Sequence, residues 1–169
     1  MRITLSLKGS FQSWGSAEPW TASRKTELKP TESAIYGLLG CAMGVHKEGD
    51  EDKAAWIRAN VKVIVPDPDY FTFNTSVVVT DDQIVSGLKE EFEFTCQKSV
   101  NQGKTGGKTN KMPQVKKEYL MDVETVVYLD GEKDVMDRVL DYLIHPVYPY
   151  YLGRACCVPS GCIIKKVEE

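Results

Sequence analysis

The sequence lacks the features that would assign it to a membrane or metal-binding class. No stretch approaches the ~20 consecutive apolar residues that a membrane-spanning helix needs. There are two histidines, and the five cysteines include no CxxC pair, so a four-ligand zinc site is not predicted. The N-terminus alternates polar and apolar residues, unlike a secretory signal. These absences predict a cytoplasmic chain with no membrane partner, no metal and no cofactor.

Two further motifs are incomplete. The string GKTGGKT at 103–109 has one residue too few between its first glycine and Gly107-Lys108-Thr109 for a nucleotide phosphate loop, and no apolar helix follows it. The neighbours Cys156 and Cys157 are expected on opposite faces of a strand, which suits neither a shared metal nor a disulfide between them. Reduced thiols are therefore expected.

The net charge of −3 hides an uneven distribution of charge. Residues 98–117 contain six lysines and no acidic residue, which leaves 15 basic against 24 acidic residues in the rest of the chain. The segment is also rich in glycine and polar residues, too much so for a helix. Such an arm is either a phosphate clamp, since lysines release counterions from a polyanion, or a solvated surface loop. Composition leaves both interpretations open.

Hydrophobic periodicity predicts the order of the secondary structure. A first strand at 2–8 is followed by a long irregular stretch, and then by a helix that Thr31 caps and that ends near Gly44. The later elements are a short helix at 50–60, strands at 61–65, 71–79 and 123–128, a helix at 133–144, and a final strand-and-loop region at 148–164. The pattern predicts an extended hairpin at 83–117. This order predicts one α+β domain over 1–169, a ferredoxin-like or RRM-like sandwich with a hairpin insertion at about 83–117.

Four short strings, in this order along the chain, resemble one family. They are GSFQSWG at 9–15, Arg24 with PTESAIYGLLGCAMG at 30–44, EYLMD at 118–122 and YLGR at 151–154. Together they are similar to the CasD-type subunits of type I-E CRISPR Cascade, which form the CRISPR-associated family five of the RAMP superfamily.

The resemblance implies a non-catalytic scaffold for antiviral defence. Members of the family bind the 5′ handle of CRISPR RNA and cap the filament of CasC-type backbone subunits. They also contact the large CasA-type subunit, in a complex that binds target DNA. Their long hairpin is a thumb, and the matching position here is the basic segment between about 83 and 117, which favours the phosphate-clamp interpretation of its lysines.

Single-stranded RNA is bound through its phosphates by basic side chains and through its bases by aromatic and amide groups. Basic residues before Thr31 suit phosphate contacts beside a helix N-terminus. Gln12 suits a base edge, Trp14 is either a stacking platform or a buried anchor, and Arg154 either contacts RNA or holds the fold by hydrogen bonds. The predicted RNA-binding residues are Gln12, Trp14, Arg24, Lys25, Lys29, Thr31, Ser33, Lys98, Lys104, Lys108, Lys111, Lys116, Lys117 and Arg154.

An enzymatic alternative comes from a related subunit that cuts precursor CRISPR RNA. Metal-independent cleavage needs a base for the 2′-hydroxyl and an acid for the leaving oxygen. Tyr36, Lys116 and Lys117 are the candidates for those roles. No histidine falls in the predicted thumb, so the sequence favours a binding protein over an endoribonuclease.

Overall fold

The computed structural model describes residues 1–15, 23–24, 26–46, 48–67, 78–80 and 116–169, with the backbone alone at 23–24, 78–80 and 116–117. The predicted thumb lies outside the described residues, apart from Lys116 and Lys117. The described elements, in chain order, are β1 (Arg2–Lys8), β2 (Phe11–Gln12), β3 (Trp14–Gly15), β4 (Ser23–Arg24), β5 (Thr26–Glu27), α1 (Glu32–Ala42), α2 (Glu51–Asn60), β6 (Lys62–Ile64), β7 (Val78–Thr80), β8 (Lys116–Met121), β9 (Glu124–Asp130), α3 (Lys133–Ile144) and β10 (Ile164–Glu168).

Four strands form the central sheet in the order β10–β1–β9–β6, and each neighbouring pair is antiparallel. Strand β1 pairs with β9 along its whole length, from Arg2 opposite Asp130 to Lys8 opposite Glu124. Helices α1 and α2 connect β1 to β6, and α3 connects β9 to β10. A mixed α and β architecture with antiparallel sheets is therefore confirmed.

The period-two alternation of β1 sends Ile3, Leu5 and Leu7 into the core, where each is fully buried. Apolar residues of α1 and α3 belong to the same buried cluster, so both helices cover this face of the sheet. Burying a side chain of this size contributes roughly 1.5–3 kcal/mol. The core therefore sits between the helices and one face of the central sheet.

The opposite face of the central sheet carries charges that pair with one another. Arg2 Nε lies 2.6 Å from Asp130 Oδ1 and its guanidinium lies 5.3 Å from the centre of the Tyr128 ring. On the same face, Lys165 Nζ lies 3.2 Å from Glu124 Oε1. An RRM-like sheet binds RNA through exposed aromatic rings. Here the Tyr128 ring is covered by Arg2, which is already paired with Asp130.

Helix α1 begins and ends as its sequence predicts. The hydroxyl of Thr31 accepts a hydrogen bond of 3.2 Å from the amide of Ala34, which confirms the predicted N-cap. At the other end, Gly44 has a φ of +70° and the amide of Val45 donates to the carbonyl of Gly40 at 2.8 Å. This is the Schellman arrangement, in which a glycine in the left-handed region closes a helix. The helices predicted at 50–60 and 133–144 are also confirmed, as α2 and α3.

Strand β8 is the centre of a second sheet. It pairs antiparallel with β2, antiparallel with β7 and parallel with β4. In the β7–β8 ladder, Thr80 lies opposite Glu118, so the chain leaves and re-enters the sheet on neighbouring strands. Among the residues that the structure describes, no helix has the length and apolar character to cross a membrane.

Candidate nucleic-acid interface

The pairing of β4 with β8 joins two basic segments that are far apart in the sequence. The two strands run parallel, with Ser23 opposite Lys116 and Arg24 opposite Lys117. Neighbouring strands lie about 4.8 Å apart, so the backbones of Arg24 and Lys117 are adjacent. Three predicted RNA-binding positions therefore meet at the start of β8, the strand through which the chain returns from residues 81–115.

Glu118, the next residue of β8, is held by three other segments. Its carbonyl oxygen accepts hydrogen bonds from Ser13 Oγ at 3.4 Å and from Arg154 Nη1 at 3.3 Å. Its carboxylate accepts a bond of 3.4 Å from the amide of Thr26, which follows β4 closely. The position of β8 is thus fixed by groups from residues 13, 26 and 154.

Arg154 also packs on the next residue of β8. Its guanidinium carbon lies 4.9 Å from the centre of the Tyr119 ring, and Tyr119 in turn meets Phe11 edge-on at 5.9 Å. Cation–π contacts of this kind contribute about 0.5–2 kcal/mol. Of the two roles that the sequence left open for Arg154, these contacts favour the one that holds the fold.

The segment 152–154 is seated tightly against the loop after β1. The amide of Ser13 donates to the carbonyl of Leu152 at 3.0 Å. Gly153 has a φ of +102°, and a Cβ atom there would lie 1.7 Å from the carbonyl oxygen of Ser13. A glycine is required at this position because both the backbone conformation and the close approach exclude a side chain.

Gln12 and Trp14 are buried, with their polar atoms bonded inside the protein. The Gln12 amide nitrogen donates to the carbonyls of Leu7 at 2.8 Å and Val123 at 2.6 Å. The Gln12 amide oxygen accepts from the Trp14 indole at 3.1 Å and from the Thr125 hydroxyl at 3.5 Å. This network favours structural roles for both residues, and for Trp14 it favours the buried anchor over the stacking platform.

In the segment 26–31, just before α1, the described cation is Lys29. Lys29 Nζ lies 2.5 Å from Asp67 Oδ1, and this hydrogen bond lowers the pKa of Asp67. Thr31 is occupied as the cap of α1, and Ser33 is exposed in its first turn. The predicted contacts Lys25, Lys98, Lys104, Lys108 and Lys111 lie outside the described residues, as do the side chains of Arg24, Lys116 and Lys117.

Tyr36, a candidate for acid–base chemistry, lies on α1. Its hydroxyl donates to the carbonyl of Val61 at 2.9 Å, and the guanidinium carbon of Arg58 lies 5.1 Å from the centre of its ring. The two histidines lie next to helix ends, His46 after α1 and His145 after α3. These placements do not favour the endoribonuclease alternative.

The prediction that Cys156 and Cys157 lie on opposite faces of a strand is wrong. They lie in a turn, and their sulfur atoms are 4.0 Å apart. A hydrogen bond from the Cys157 amide to the Arg154 carbonyl at 2.8 Å closes this turn, so the two residues do not follow the alternation of a strand. The described cysteines are free thiols, and the described residues contain no group of three or more metal-ligating side chains.

Sequence reasoning missed Tyr119, Ser13 and Gly153 as parts of this region. Each lies inside one of the strings at 9–15, 118–122 and 151–154, and these three strings meet in space around Glu118. The three strings therefore form one contact region in the fold.

Comparison with known proteins agrees with the resemblance drawn from these strings. A sequence model of the CRISPR-associated protein (Cas_Cas5) family matches residues 2–169. The chain is 27% identical over 161 residues to the CRISPR system Cascade subunit CasD of Escherichia coli (strain K12). This alignment covers 92% of the present chain and 66% of the length of CasD.

Two solved structures have a similar fold. A chain of a "CRISPR RNA-guided surveillance complex" superposes with a TM-score of 0.68 at 24% identity and covers 97% of this chain. A second, titled "Crystal structure of Cas protein", has a TM-score of 0.60 at 24% identity and covers 96%. The chain spans 62% of the length of each of those two chains. The predicted family resemblance is confirmed.

Proposed function

Because the chain belongs to the CRISPR-associated protein (Cas_Cas5) family, we propose that it is a non-catalytic Cascade subunit that binds the 5′ handle of CRISPR RNA. In this proposal it caps a filament of CasC-type subunits and contacts a large CasA-type subunit, in a cytoplasmic ribonucleoprotein that binds target DNA. We further propose a ferredoxin-like RAMP domain, which the strand order β10–β1–β9–β6 supports. The antiparallel β7–β8 ladder supports a thumb formed by the residues between these strands.

One observation carries the RNA-binding proposal: the parallel pairing of β4 with β8. It sets Arg24 beside Lys117, at the end of the segment 98–117 that holds six lysines and no acid. Arg24, Lys116 and Lys117, which this pairing brings together, suit a single-stranded backbone, whose phosphates are spaced along the chain. Lys29 is a further exposed cation just before α1, and an exposed pair such as Lys29–Asp67 yields readily to a phosphate.

The contacts of Gln12, Trp14 and Arg154 support an indirect role for these three residues. They set the position of β2 and β8, while the lysines and Arg24 contact the RNA. Arg154 is therefore a positioning residue in this proposal.

The first experiment is assembly. The chain is co-expressed with CasC-type and CasE-type subunits and a CRISPR RNA, and the complex is purified through a tag on a CasC-type subunit. We expect this chain to co-elute with a large ribonucleoprotein and to be absent when the RNA is omitted. Recovery of the chain as a free monomer in both cases would refute the scaffold role.

The second experiment measures the salt dependence of RNA binding. The variant Lys104→Ala/Lys108→Ala/Lys111→Ala is compared with Lys53→Ala/Lys133→Ala/Lys166→Ala, which removes the same charge from exposed lysines that pair with acids of the body. Each phosphate contact to a single strand contributes about 0.7 to the logarithmic salt slope, so the thumb variant should lose roughly 2 from that slope. The control variant should keep the parental slope. Equal slopes for the two variants would show that the arm is a solvated loop.

The third experiment addresses cleavage. Repeat RNA incubated with the purified chain should remain intact, with or without a chelator. A discrete product that disappears in Tyr36→Phe or Lys117→Ala would establish the endoribonuclease alternative instead.

A further inference from the structure

A pair of neighbouring thiols lies in the turn that follows Arg154. The sulfur atoms of Cys156 and Cys157 are 4.0 Å apart; Cys156 is exposed and Cys157 is fully buried. The turn is held by two backbone hydrogen bonds, from the Cys157 amide to the Arg154 carbonyl at 2.8 Å and from the Leu152 amide to the Cys157 carbonyl at 2.7 Å. The pair is therefore built into the same segment that positions β8.

We propose that Cys156 and Cys157 form a redox-active dithiol, which closes reversibly into a disulfide and thereby loosens the contact of Arg154 with β8. A disulfide bond is about 2.05 Å long, so the two sulfur atoms must approach by about 2 Å. The α-carbons of adjacent residues are about 3.8 Å apart, closer than the 4.4–6.8 Å usual across a disulfide. The closed form is therefore strained, and strained disulfides are the ones that are readily reduced again.

The oxidant is a low-molecular-weight disulfide such as oxidised glutathione. The Cys156 thiol loses its proton to solvent, and its thiolate attacks one sulfur of the oxidant, which forms a mixed disulfide and releases one small thiolate. The Cys157 thiol then loses its proton and attacks the Cys156 sulfur, which releases the second small thiolate. Two protein thiols are oxidised to one disulfide, and the oxidant is reduced to two small thiols.

The environments of the two thiols set this order. Cys156 is open to a small disulfide, whereas burial raises the pKa of Cys157 to about 12. Only the thiolate attacks, so Cys157 acts second, once the reagent is already attached to its neighbour. Ring closure therefore accelerates as the pH rises.

Closure has a structural consequence at β8. The Cys156 sulfur lies 3.8 Å from the Tyr119 hydroxyl, and the Arg154 guanidinium covers the Tyr119 ring. Moving the Cys156 sulfur towards Cys157 breaks the first contact and twists the turn that carries Arg154. The bond from Arg154 to the Glu118 carbonyl depends on that turn.

The test uses the full chain with Cys41, Cys96 and Cys162 replaced by serine, so that the pair alone remains. After incubation with oxidised glutathione, we expect a product about 2 Da lighter than the reduced chain, reversed by dithiothreitol. Peptide mapping of the unsubstituted chain should place the bond between residues 156 and 157. A persistent glutathione adduct, a disulfide-linked dimer, or no reaction would overturn the proposal. The matched variant Cys157→Ser should stop at the glutathione adduct.

Hydrogen exchange tests the second half of the proposal. Oxidation should accelerate exchange of the amides at 118–121 by at least about fivefold relative to the same amides in oxidised Cys157→Ser. Unchanged exchange in a chain that has formed the disulfide would overturn the coupling to β8. A matching fall in RNA affinity rests on the proposed function. If exchange accelerates while affinity stays the same, the dithiol stands and the RNA site at β8 is refuted.

Discussion

Replacing Gly153 with alanine would place a methyl carbon where the Ser13 carbonyl oxygen lies. That carbon would sit 1.7 Å from the oxygen, and real contacts of this kind are essentially never under 3.0 Å. One of the two segments must therefore move by more than an ångström. Such a movement breaks the 3.0 Å hydrogen bond from the Ser13 amide to the Leu152 carbonyl.

Three separate costs add up at this position. A non-glycine residue held at a φ of +102° is strained by about 1–3 kcal/mol. Overpacking adds about 1–3 kcal/mol, and the lost hydrogen bond adds about 0.5–1.5 kcal/mol. We expect Gly153→Ala to lower the free energy of unfolding by about 2.5–7.5 kcal/mol, a large part of the 5–15 kcal/mol that is usual for a domain.

Three other glycines separate these causes. Gly49 has a φ of +91° with nothing within 4 Å of the position that a methyl group would take. Gly49→Ala therefore measures the backbone strain alone and should cost about 1–3 kcal/mol. Gly9 has no such φ, but its Cβ would lie 2.7 Å from the Val158 carbonyl oxygen, so Gly9→Ala measures the clash, at about 1–3 kcal/mol. Gly161 has neither problem, and Gly161→Ala should stay within about 0.5 kcal/mol of the parent.

The assay is urea unfolding followed by tryptophan fluorescence, since Trp14 is almost fully buried beside the affected loop. All four variants should keep the parental dependence on urea and differ in midpoint. If Gly153→Ala costs no more than Gly49→Ala, the segment 152–154 does not pack against Ser13. The placement of Arg154 beside Glu118 would then be refuted as well.

Three further predictions concern the same region and the central sheet. Gln12→Ala should lower the free energy of unfolding by about 3 kcal/mol or more, since it removes the buried hydrogen bonds to the Trp14 indole and to the carbonyls of Leu7 and Val123. A loss below about 1 kcal/mol, with weakened RNA binding, would restore the base-reading role. Arg154→Ala should weaken RNA binding without changing the logarithmic salt slope. Arg154→Lys should restore RNA binding only in part, because lysine lacks the planar group that covers Tyr119. A slope reduced by about 0.7 would instead indicate a direct phosphate contact. The Ser6 hydroxyl and the Lys165 ammonium lower the pKa of Glu124 below its ordinary value of 4.5, so this carboxylate stabilises the fold above pH 4.5 and the stabilisation is lost as the pH falls through the lowered pKa. An NMR titration should place the Glu124 midpoint below 4.5, and Glu124→Gln should flatten the acid limb of the stability curve; a midpoint at or above 4.5 would contradict the ion pair.

Local patterns were sufficient to predict most regular elements of the central layer. The exception is β10 (Ile164–Glu168), which begins where the predicted strand-and-loop region at 148–164 ends. The period-two pattern of β1 and the apolar stripes of α1 and α3 depend only on which face of an element meets the core, and that preference is written in neighbouring residues. Thr31 and Gly44 bound α1 for equally local reasons, a side-chain cap at one end and a left-handed residue at the other.

The contacts around β8 could not be predicted from such local patterns. Strands of two residues, such as β2 and β4, have no measurable period, and the pairings of Gln12 with Leu120 and of Arg24 with Lys117 join positions more than ninety residues apart. The sequence predicted that Gln12 contacts a base edge and that Cys156 lies in a strand, because composition does not reveal which chain segment will cover a loop. Only the packed tertiary structure decides such contacts, since the register between distant segments is set by which carbonyls, amides and rings meet when the core closes.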